Sequence, residues 1–346
     1  MGERLQQLQG WVVEQAAEQK LSLLDEPLQP VSGDASFRRY FRARGDLQNW
    51  IAVDAPPDKE NSQPFVDIAR HWHAEGVRVP ALVALDLDLG FMLLEDFGDQ
   101  LLLPALSVET ADALYGQAFS ALEAIQSIEA AALPDYDEAL LRREMDLFDE
   151  WFVGQLLQLD LTETDVNTLE AAKKVLVASA ESQPQVSVHR DYHSRNLMLI
   201  EEGDGLGIID FQDAVRGPVT YDLVSLLRDS YVRWPDERVS GWVEGYRQRL
   251  KGKEVPVVDE VSFLKQFDFM GMQRQLKVLG IFSRLYLRDG KSGYLNDIPR
   301  TLGYLYRAAA RYPESAELYR LLDEKVVPAL AAHTLFDAQA LTRELG

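Results

Sequence analysis

The chain has no cysteine, which excludes disulfide bonds, thiolate metal sites and thiol nucleophiles and favours a reducing compartment. It has no run approaching roughly 18 uninterrupted apolar residues, so a membrane-spanning helix is not expected. The opening Met1-Gly2-Glu3-Arg4-Leu5 lacks the apolar stretch and small-residue cleavage site of a secretion signal. A cytoplasmic protein is the expectation. Positive charge is scarce as well: 35 Lys and Arg face 56 Asp and Glu, a net charge of −21. That surplus repels phosphate backbones and anionic lipid surfaces, so neither nucleic acid nor membrane is expected as a partner. Internal repeats and low-complexity segments are absent too. What is present is ordinary globular material, 47% apolar and 26% charged. Single cores stop growing at roughly 250 to 300 residues, so the 346 residues suggest two subdomains, and a monomer is the expectation.

Apolar positions at Leu5, Leu8, Val12, Val13 and Ala16 have a helical period and predict an amphipathic helix over residues 3–19. Residues 31–44 read as strand, small-residue turn and strand, and Trp50-Ile51-Ala52-Val53-Asp54 as a further strand before the Pro56-Pro57 break. Residues 64–76 begin with proline and end in glycine, as helices do. Residues 79–85 and 91–95 then read as paired strands. Beyond Ser107 the pattern is helical over 110–130, 138–159 and 164–180, with one strand-like island around 186–213. The expected fold class is therefore α+β and bilobal. An antiparallel-sheet N-lobe with its N-terminal helix spans residues 1–95, and a mainly helical C-lobe with the catalytic loop and acceptor site spans 96–346.

The island carries the chemistry. It contains His189-Arg190-Asp191-Tyr192-His193-Ser194-Arg195-Asn196, followed by Ile208-Ile209-Asp210-Phe211-Gln212-Asp213. Phosphoryl transfer needs a carboxylate to orient an attacking hydroxyl and accept its proton, and oxygen ligands for a magnesium ion bridging the phosphates. Asp191 supplies the first, and Asn196 and Asp210 the second. Apolar stretches at 197–200 and 208–209 flank a turn containing Gly203 and Gly207, so a hairpin brings Asn196 and Asp210 toward one end. A lone aspartate usually caps a turn or joins a salt bridge; the complete set at these spacings argues for a site.

The chain resembles the protein-kinase-like superfamily, because His189-Arg190-Asp191 with Asn196 is similar to its catalytic loop and Asp210-Phe211-Gln212 sits where it has Asp-Phe-Gly. His193 and Ile-Asp-Phe-Gln-Asp resemble the aminoglycoside phosphotransferase branch, which acts on small molecules. That resemblance implies ATP and Mg2+ as ligands, and it implies that Asp222, in Gly217-Pro218-Val219-Thr220-Tyr221-Asp222-Leu223, supports the catalytic loop together with His189. Asp222 is equally suited to capping the helix that begins near Leu223.

On the nucleotide side, Ser32, Gly33, Asp34, Ala35 and Ser36 lie between two predicted strands, where small residues let backbone N–H groups approach phosphates. An unliganded hairpin turn uses the same residue types. Leu94-Glu95-Asp96-Phe97-Gly98 occupies the hinge position, with Glu95 and Phe97 the expected adenine contacts. One departure stands out: Ile51-Ala52-Val53-Asp54 places an aspartate where Val-Ala-Ile-Lys places the phosphate-pairing lysine. An arginine of the strand 37–42, Arg42 in our reading, is the candidate substitute.

On the acceptor side, residues 270–291 read as a helix with a polar ridge at Gln273, Lys277, Arg284 and Arg288, and Arg274 beside it. Gln212, Asp213, Gln273, Arg274, Lys277 and Arg284 are the expected acceptor contacts, with Trp151 as a stacking platform, although a core aromatic is the commoner fate of such a tryptophan. Gly-Asp-Ala-Ser-Phe-Arg-Arg-Tyr-Phe-Arg and Ile-Asp-Phe-Gln-Asp-Ala look like the bacterial anomeric sugar kinases of peptidoglycan recycling. The resemblance covers roughly residues 30 to 300 and implies phosphorylation of the 1-hydroxyl of N-acetylmuramate and N-acetylglucosamine. A cationic helix suits an anionic sugar, whereas an aminoglycoside acceptor would call for carboxylates. An aminoglycoside, choline or homoserine phosphotransferase and a non-catalytic pseudokinase are the alternatives.

Overall fold

The computed structural model describes residues 2–31, 37–200, 205–253 and 255–346. The chain begins with α1 (Glu3–Gln19), β1 (Gln29–Pro30), β2 (Arg39–Ala43) and β3 (Trp50–Asp54), then α2 (Gln63–Ala74), β4 (Leu82–Asp86) and β5 (Phe91–Glu95). The helices α3 (Leu102–Ala105), α4 (Ala111–Gln126), α5 (Glu138–Leu147) and α6 (Glu163–Glu181) follow, with a π-helical stretch at Phe148–Leu156 prolonging α5. Next come β6 (Gln185–Val188), β7 (Leu197–Leu199), β8 (Leu206–Ile208) and β9 (Val215–Pro218). The remainder is helical, with α7 (Tyr221–Leu227), α8 (Asp236–Leu250), α9 (Glu260–Asp289) and α10 (Ile298–Ala309) its main elements. The α+β class expected from the sequence, an antiparallel sheet first and helices after it, is borne out.

Two compact units are delimited: residues 1–128 with 195–214, and residues 129–194 with 215–346. The units part elsewhere than at residue 95, and the hydrogen bonding shows why. The β7–β8 hairpin is pinned to the segment just after β5, through the bridge between Leu101 and Met198 and the 2.7 Å bond from Leu199 N to Gln100 O. The hairpin and the helices α3 and α4 therefore belong with the sheet.

In the first unit the sheet runs β1-β2-β3-β5-β4, with every neighbouring pair antiparallel. The helical period expected for α1 buries Leu8, Trp11 and Val12 against Phe41, Ala43, Ala52, Phe91 and Leu93 of the sheet. Alternation along β3 puts Asp54 on that same covered face, opposite Arg39 in register. Its carboxylate is fully buried and pairs with Arg39 and, at 2.6 Å, with Arg4 of α1. The aspartate that breaks the lysine pattern is thus an ionic tie between helix and sheet, an outcome strand periodicity alone could have signalled. At the hinge end, β8 contributes Gly207. A methyl group there would lie 2.4 Å from the Phe97 ring, so glycine is what lets the hairpin close on that aromatic. Phe211, just past β8, stacks on Phe65 of α2 with centroids 4.8 Å apart.

In the second unit the long α9 is the central element. Asp259 caps its start by accepting from Ser262 N at 3.0 Å, and Gly290, with φ of 68°, ends it in the left-handed region. Helix α5 approaches α9 so closely at Gly280 that a Cβ there would come 2.3 Å from the Leu147 carbonyl carbon. The neighbour is backbone and cannot rotate away. Gly280→Ala is therefore expected to destabilise by about 1–3 kcal/mol through overpacking. It should appear as a melting temperature several degrees lower in a calorimetric scan, and an unchanged melt would mean the two helices part easily.

Candidate active site

The first unit brings Asn196 and Asp210 together. They stand at the open end of the β7–β8 hairpin, one residue before β7 and two after β8, and the pairing of Leu197 with Ile208 aligns them. Ile209 N donates to Asn196 O at 3.1 Å and the Asn196 amide lies 3.2 Å from Asp210 Oδ2. Gln212 Nε2 holds the other carboxylate oxygen at 2.7 Å. Asp210 adopts φ of 66°, a strained conformation for a non-glycine residue, of the kind found at functional sites. The donor set, one carboxylate and one amide whose oxygen is presented by a simple flip, is hard oxygen throughout and fits Mg2+.

The second unit holds the catalytic loop. Buried Asp222 accepts from His189 N at 2.7 Å and from Arg190 N at 3.0 Å, one backbone donor on each oxygen. The imidazole of His189, itself fully buried, receives Asp191 N at 3.2 Å on Nδ1. Arg190 takes a positive φ of 76°. These contacts fix the backbone on either side of Asp191.

Two buried aspartates here are driven in opposite directions. Burial alone would raise Asp191, but the charges of Lys277, His193, Arg274 and Arg190 outweigh it and bring its pKa down to about 2. For Asp222 burial prevails over its two backbone hydrogen bonds and pushes the pKa up to about 7. Asp191 is therefore the carboxylate that remains ionised at neutral pH. Glu144, on α5, completes the setting: it accepts from Tyr136 and Arg190 and pairs with Lys277 at 3.1 Å. Burial opposes its ionisation, yet Lys277 and Arg190 hold its pKa below the usual carboxylate range.

Asp191 opens onto a cavity of about 150 Å³ within this unit, lined also by His193, Asp229, Tyr231, Arg274, Lys277 and the apolar side chains of Ile281 and Phe282. Asp229 accepts from Ser194 N at 3.0 Å, which anchors the far side of the catalytic loop. Glu144, Tyr136 and Asp229 were not singled out from the sequence. They lie 38 to 55 residues from Asp191 with no motif around them; only the burial of charge that Arg190 and Lys277 require could have signalled a nearby anion.

The residues expected from the sequence sort as follows. Arg274 and Lys277 line the cavity with Asp191. Gln273 is fully buried and donates to Tyr136 Oη at 3.3 Å, and neither it nor Arg284 nor Trp151 is among the lining residues. Gln212 holds Asp210, whereas Asp213 is exposed. Arg42 has a different task from the expected phosphate contact: its guanidinium engages Asp96 and, at 2.9 Å, both oxygens of Asp99. With those donors committed, it braces the hinge. Glu95 receives both Arg78 nitrogens at 2.6 and 2.5 Å, and Phe97 stacks under Arg78 at 4.7 Å. Ser32, Gly33, Asp34, Ala35 and Ser36 lie outside the described residues. Among the described residues no helix is long and apolar enough to cross a membrane.

A hairpin carrying Asn and Asp, a His-Arg-Asp loop tied to a buried aspartate and an antiparallel sheet ahead of them define a protein-kinase-like phosphotransferase. The chain belongs to the phosphotransferase enzyme family, which it matches over residues 27–261. Among solved structures it is similar to an ADP-bound aminoglycoside phosphotransferase, APH(2'')-Ib, with a TM-score of 0.55 at 16% identity over 85% of this chain and 97% of that one. It is also similar to the choline kinase LicA from Streptococcus pneumoniae, with a TM-score of 0.59 at 14% identity over 87% and 99%. At those identities the likeness is one of fold. In sequence it is 44% identical to the N-acetylmuramate/N-acetylglucosamine kinase of Pseudomonas putida, over 93% of this chain and 96% of that protein. It is 41% identical to the protein of the same name from Neisseria meningitidis, over 85% and 89%. The resemblance drawn from the motifs is borne out by these matches.

Proposed function

We propose that this chain transfers the γ-phosphoryl group of ATP to the anomeric 1-hydroxyl of N-acetylmuramate and N-acetylglucosamine, giving the sugar 1-phosphate and ADP in the cytoplasm. The observation that carries the reading is the cavity beside Asp191, where the carboxylates of Asp191 and Asp229 are met by Lys277 and by Arg274, whose buried Nη1 has no hydrogen-bond partner among the described residues. An unsatisfied guanidinium favours neutral or anionic acceptors and opposes the cationic aminoglycosides and choline. The names of the relatives point to the same acceptors.

Asp191 orients the hydroxyl and takes its proton. A carboxylate whose pKa is held at about 2 is a weak proton sink, so the proton moves late, past the loose transition state, as the new O–P bond completes and the hydroxyl oxygen becomes strongly acidic. An anomeric hydroxyl, more acidic than an ordinary alcohol because of the ring oxygen, suits that timing. Asn196 and Asp210 would hold magnesium, which when bound supplies charge neutralisation on the transferred phosphates. Gln212 fixes the rotamer of Asp210. On the nucleotide side, the segment 95–97 borders the adenine, with Arg42 and Arg78 keeping it in shape.

The test is incubation with ATP, magnesium and a panel of N-acetylmuramate, N-acetylglucosamine, an aminoglycoside, choline and homoserine. The position of the phosphate is read by phosphorus and carbon NMR. Phosphate on the anomeric carbon of the two amino sugars is the expected result; phosphate on any other oxygen, or on the cationic acceptors alone, overturns the assignment of acceptor. Absence of magnesium-dependent turnover with every acceptor would favour the pseudokinase. The loop itself can be tested through Asp222→Asn. The amide offers one acceptor oxygen where two backbone donors converge, leaving one N–H unsatisfied at a cost of about 1–3 kcal/mol. Steady-state kinetics should show kcat reduced about tenfold to a hundredfold as the loop relaxes, with the KM for ATP much less affected.

A further inference from the structure

Of the four residues of α9 expected to meet the acceptor, Gln273, Arg274, Lys277 and Arg284, only Arg274 and Lys277 line the cavity, and they are in opposite electrostatic situations. Lys277 is already satisfied: its ammonium lies 3.1 Å from Tyr221 Oη and 3.1 Å from Glu144. Arg274 is different. Its side chain is 4% exposed, and its Nη1 is buried with no hydrogen-bond partner among the described residues. A guanidinium this deeply buried without a paired anion is costly to maintain. Of the two carboxylates lining the cavity, Asp229 already accepts from Ser194 N and Tyr231 N, each at 3.0 Å, and Asp191 is the proposed base. The charge of Arg274 is felt by Asp191 and Asp222 without bonding to either: it helps to lower the pKa of Asp191 and only weakly opposes the upward push of burial on Asp222.

We propose that Arg274 reads the carboxylate of an acidic amino sugar and so sets the preference of this chain for N-acetylmuramate over N-acetylglucosamine; this rests on the acceptor reading above. The two sugars differ only by a lactyl ether on O3, which adds one carboxylate and one methyl group. A planar guanidinium matches the two carboxylate oxygens with two parallel N–H donors. The methyl group has apolar neighbours available in Val278, Ile281 and Phe282 of the same cavity wall. Gln273 and Arg284, outside the lining, take no part, and Lys277 serves the anion network around Asp191.

The experiment compares kcat/KM for the two sugars in the full chain carrying Arg274→Gln or Arg274→Lys. Losing a charge-assisted pair should move the N-acetylmuramate to N-acetylglucosamine ratio toward N-acetylglucosamine by about thirtyfold to a hundredfold in Arg274→Gln, chiefly through the KM for N-acetylmuramate. Arg274→Lys keeps the charge without the fork and should restore part of the ratio. A second arm needs no variant: N-acetylmuramate with its carboxyl group amidated is offered to the unaltered chain and should lose the advantage of the free acid. Equal losses on both sugars, a selective rise in the KM for ATP, or an amide used as well as the acid overturns the assignment while leaving the kinase reading intact. Failure of the unaltered chain to phosphorylate either sugar overturns the acceptor reading and this assignment with it.

Discussion

Asp191→Asn is expected to lower kcat about a thousandfold and to leave the KM for ATP within about threefold. The substitution keeps the shape of the side chain and the backbone bond from Asp191 N to His189 Nδ1, so the loop should hold its course. What it removes is the cavity carboxylate that Lys277, His193, Arg274 and Arg190 hold ionised against burial. An amide cannot take a proton, and it can present an N–H to the hydroxyl oxygen that should attack. The loss therefore belongs to the chemical step and not to nucleotide binding. Coupled ADP release, confirmed by single-turnover transfer to the sugar, measures it. A fall of less than about tenfold would show that another group accepts the proton. Thermal melting of the variant guards against an indirect effect, and a modest loss of stability is expected there, because the surrounding cations favour the charged form of Asp191 more than burial opposes it.

Much of this was legible in the sequence because it is written in local patterns. The helical period of residues 3–19, the proline-to-glycine span of α2 and the alternation of β2 and β3 are settled by neighbours within a few residues, and they agree with the structure to within a residue or two. Asn196 and Asp210 were legible as a pair because a hairpin needs only apolar flanks and a glycine turn. The catalytic constellation was legible as a spacing. What was not legible depends on partners remote in sequence. Nothing near Arg42 announces Asp96 and Asp99, more than fifty residues on, so a strand arginine read as a phosphate ligand proved to brace the hinge. The face on which Asp54 lies was recoverable from alternation with Ala52, yet its meaning required Arg4, fifty residues earlier. Gln273, Arg274, Lys277 and Arg284 looked alike as polar residues of one helix. Their partners separated them, because Gln273 found Tyr136, Lys277 found Glu144 and Arg274 Nη1 found no partner among the described residues.

Asp210→Asn should be as damaging as the loss of the base but should differ from it in its magnesium dependence. The carboxylate carries the only formal negative charge in the pair it forms with Asn196, and it is held in place by Gln212 on one oxygen and by a positive φ that few side chains tolerate. Asparagine accepts both that conformation and one hydrogen bond from its neighbours, so misfolding is not the expected outcome. Removing the charge weakens the hold on a hard divalent cation and with it several kcal/mol of phosphate neutralisation, which corresponds to a kcat lower by about a thousandfold or more. Because the defect lies in retaining the ion, the magnesium concentration giving half-maximal rate should rise at least about tenfold, whereas Asp191→Asn leaves that concentration where it was. Magnesium titrations of the two variants at saturating ATP make the comparison. If both respond to magnesium alike, Asp210 is not a ligand, and the division of labour between the loop carboxylate and the hairpin pair fails. Replacing Asn196 by alanine offers the graded control: it removes a neutral oxygen and leaves the charge. Its magnesium requirement should therefore fall between those of the unaltered chain and Asp210→Asn.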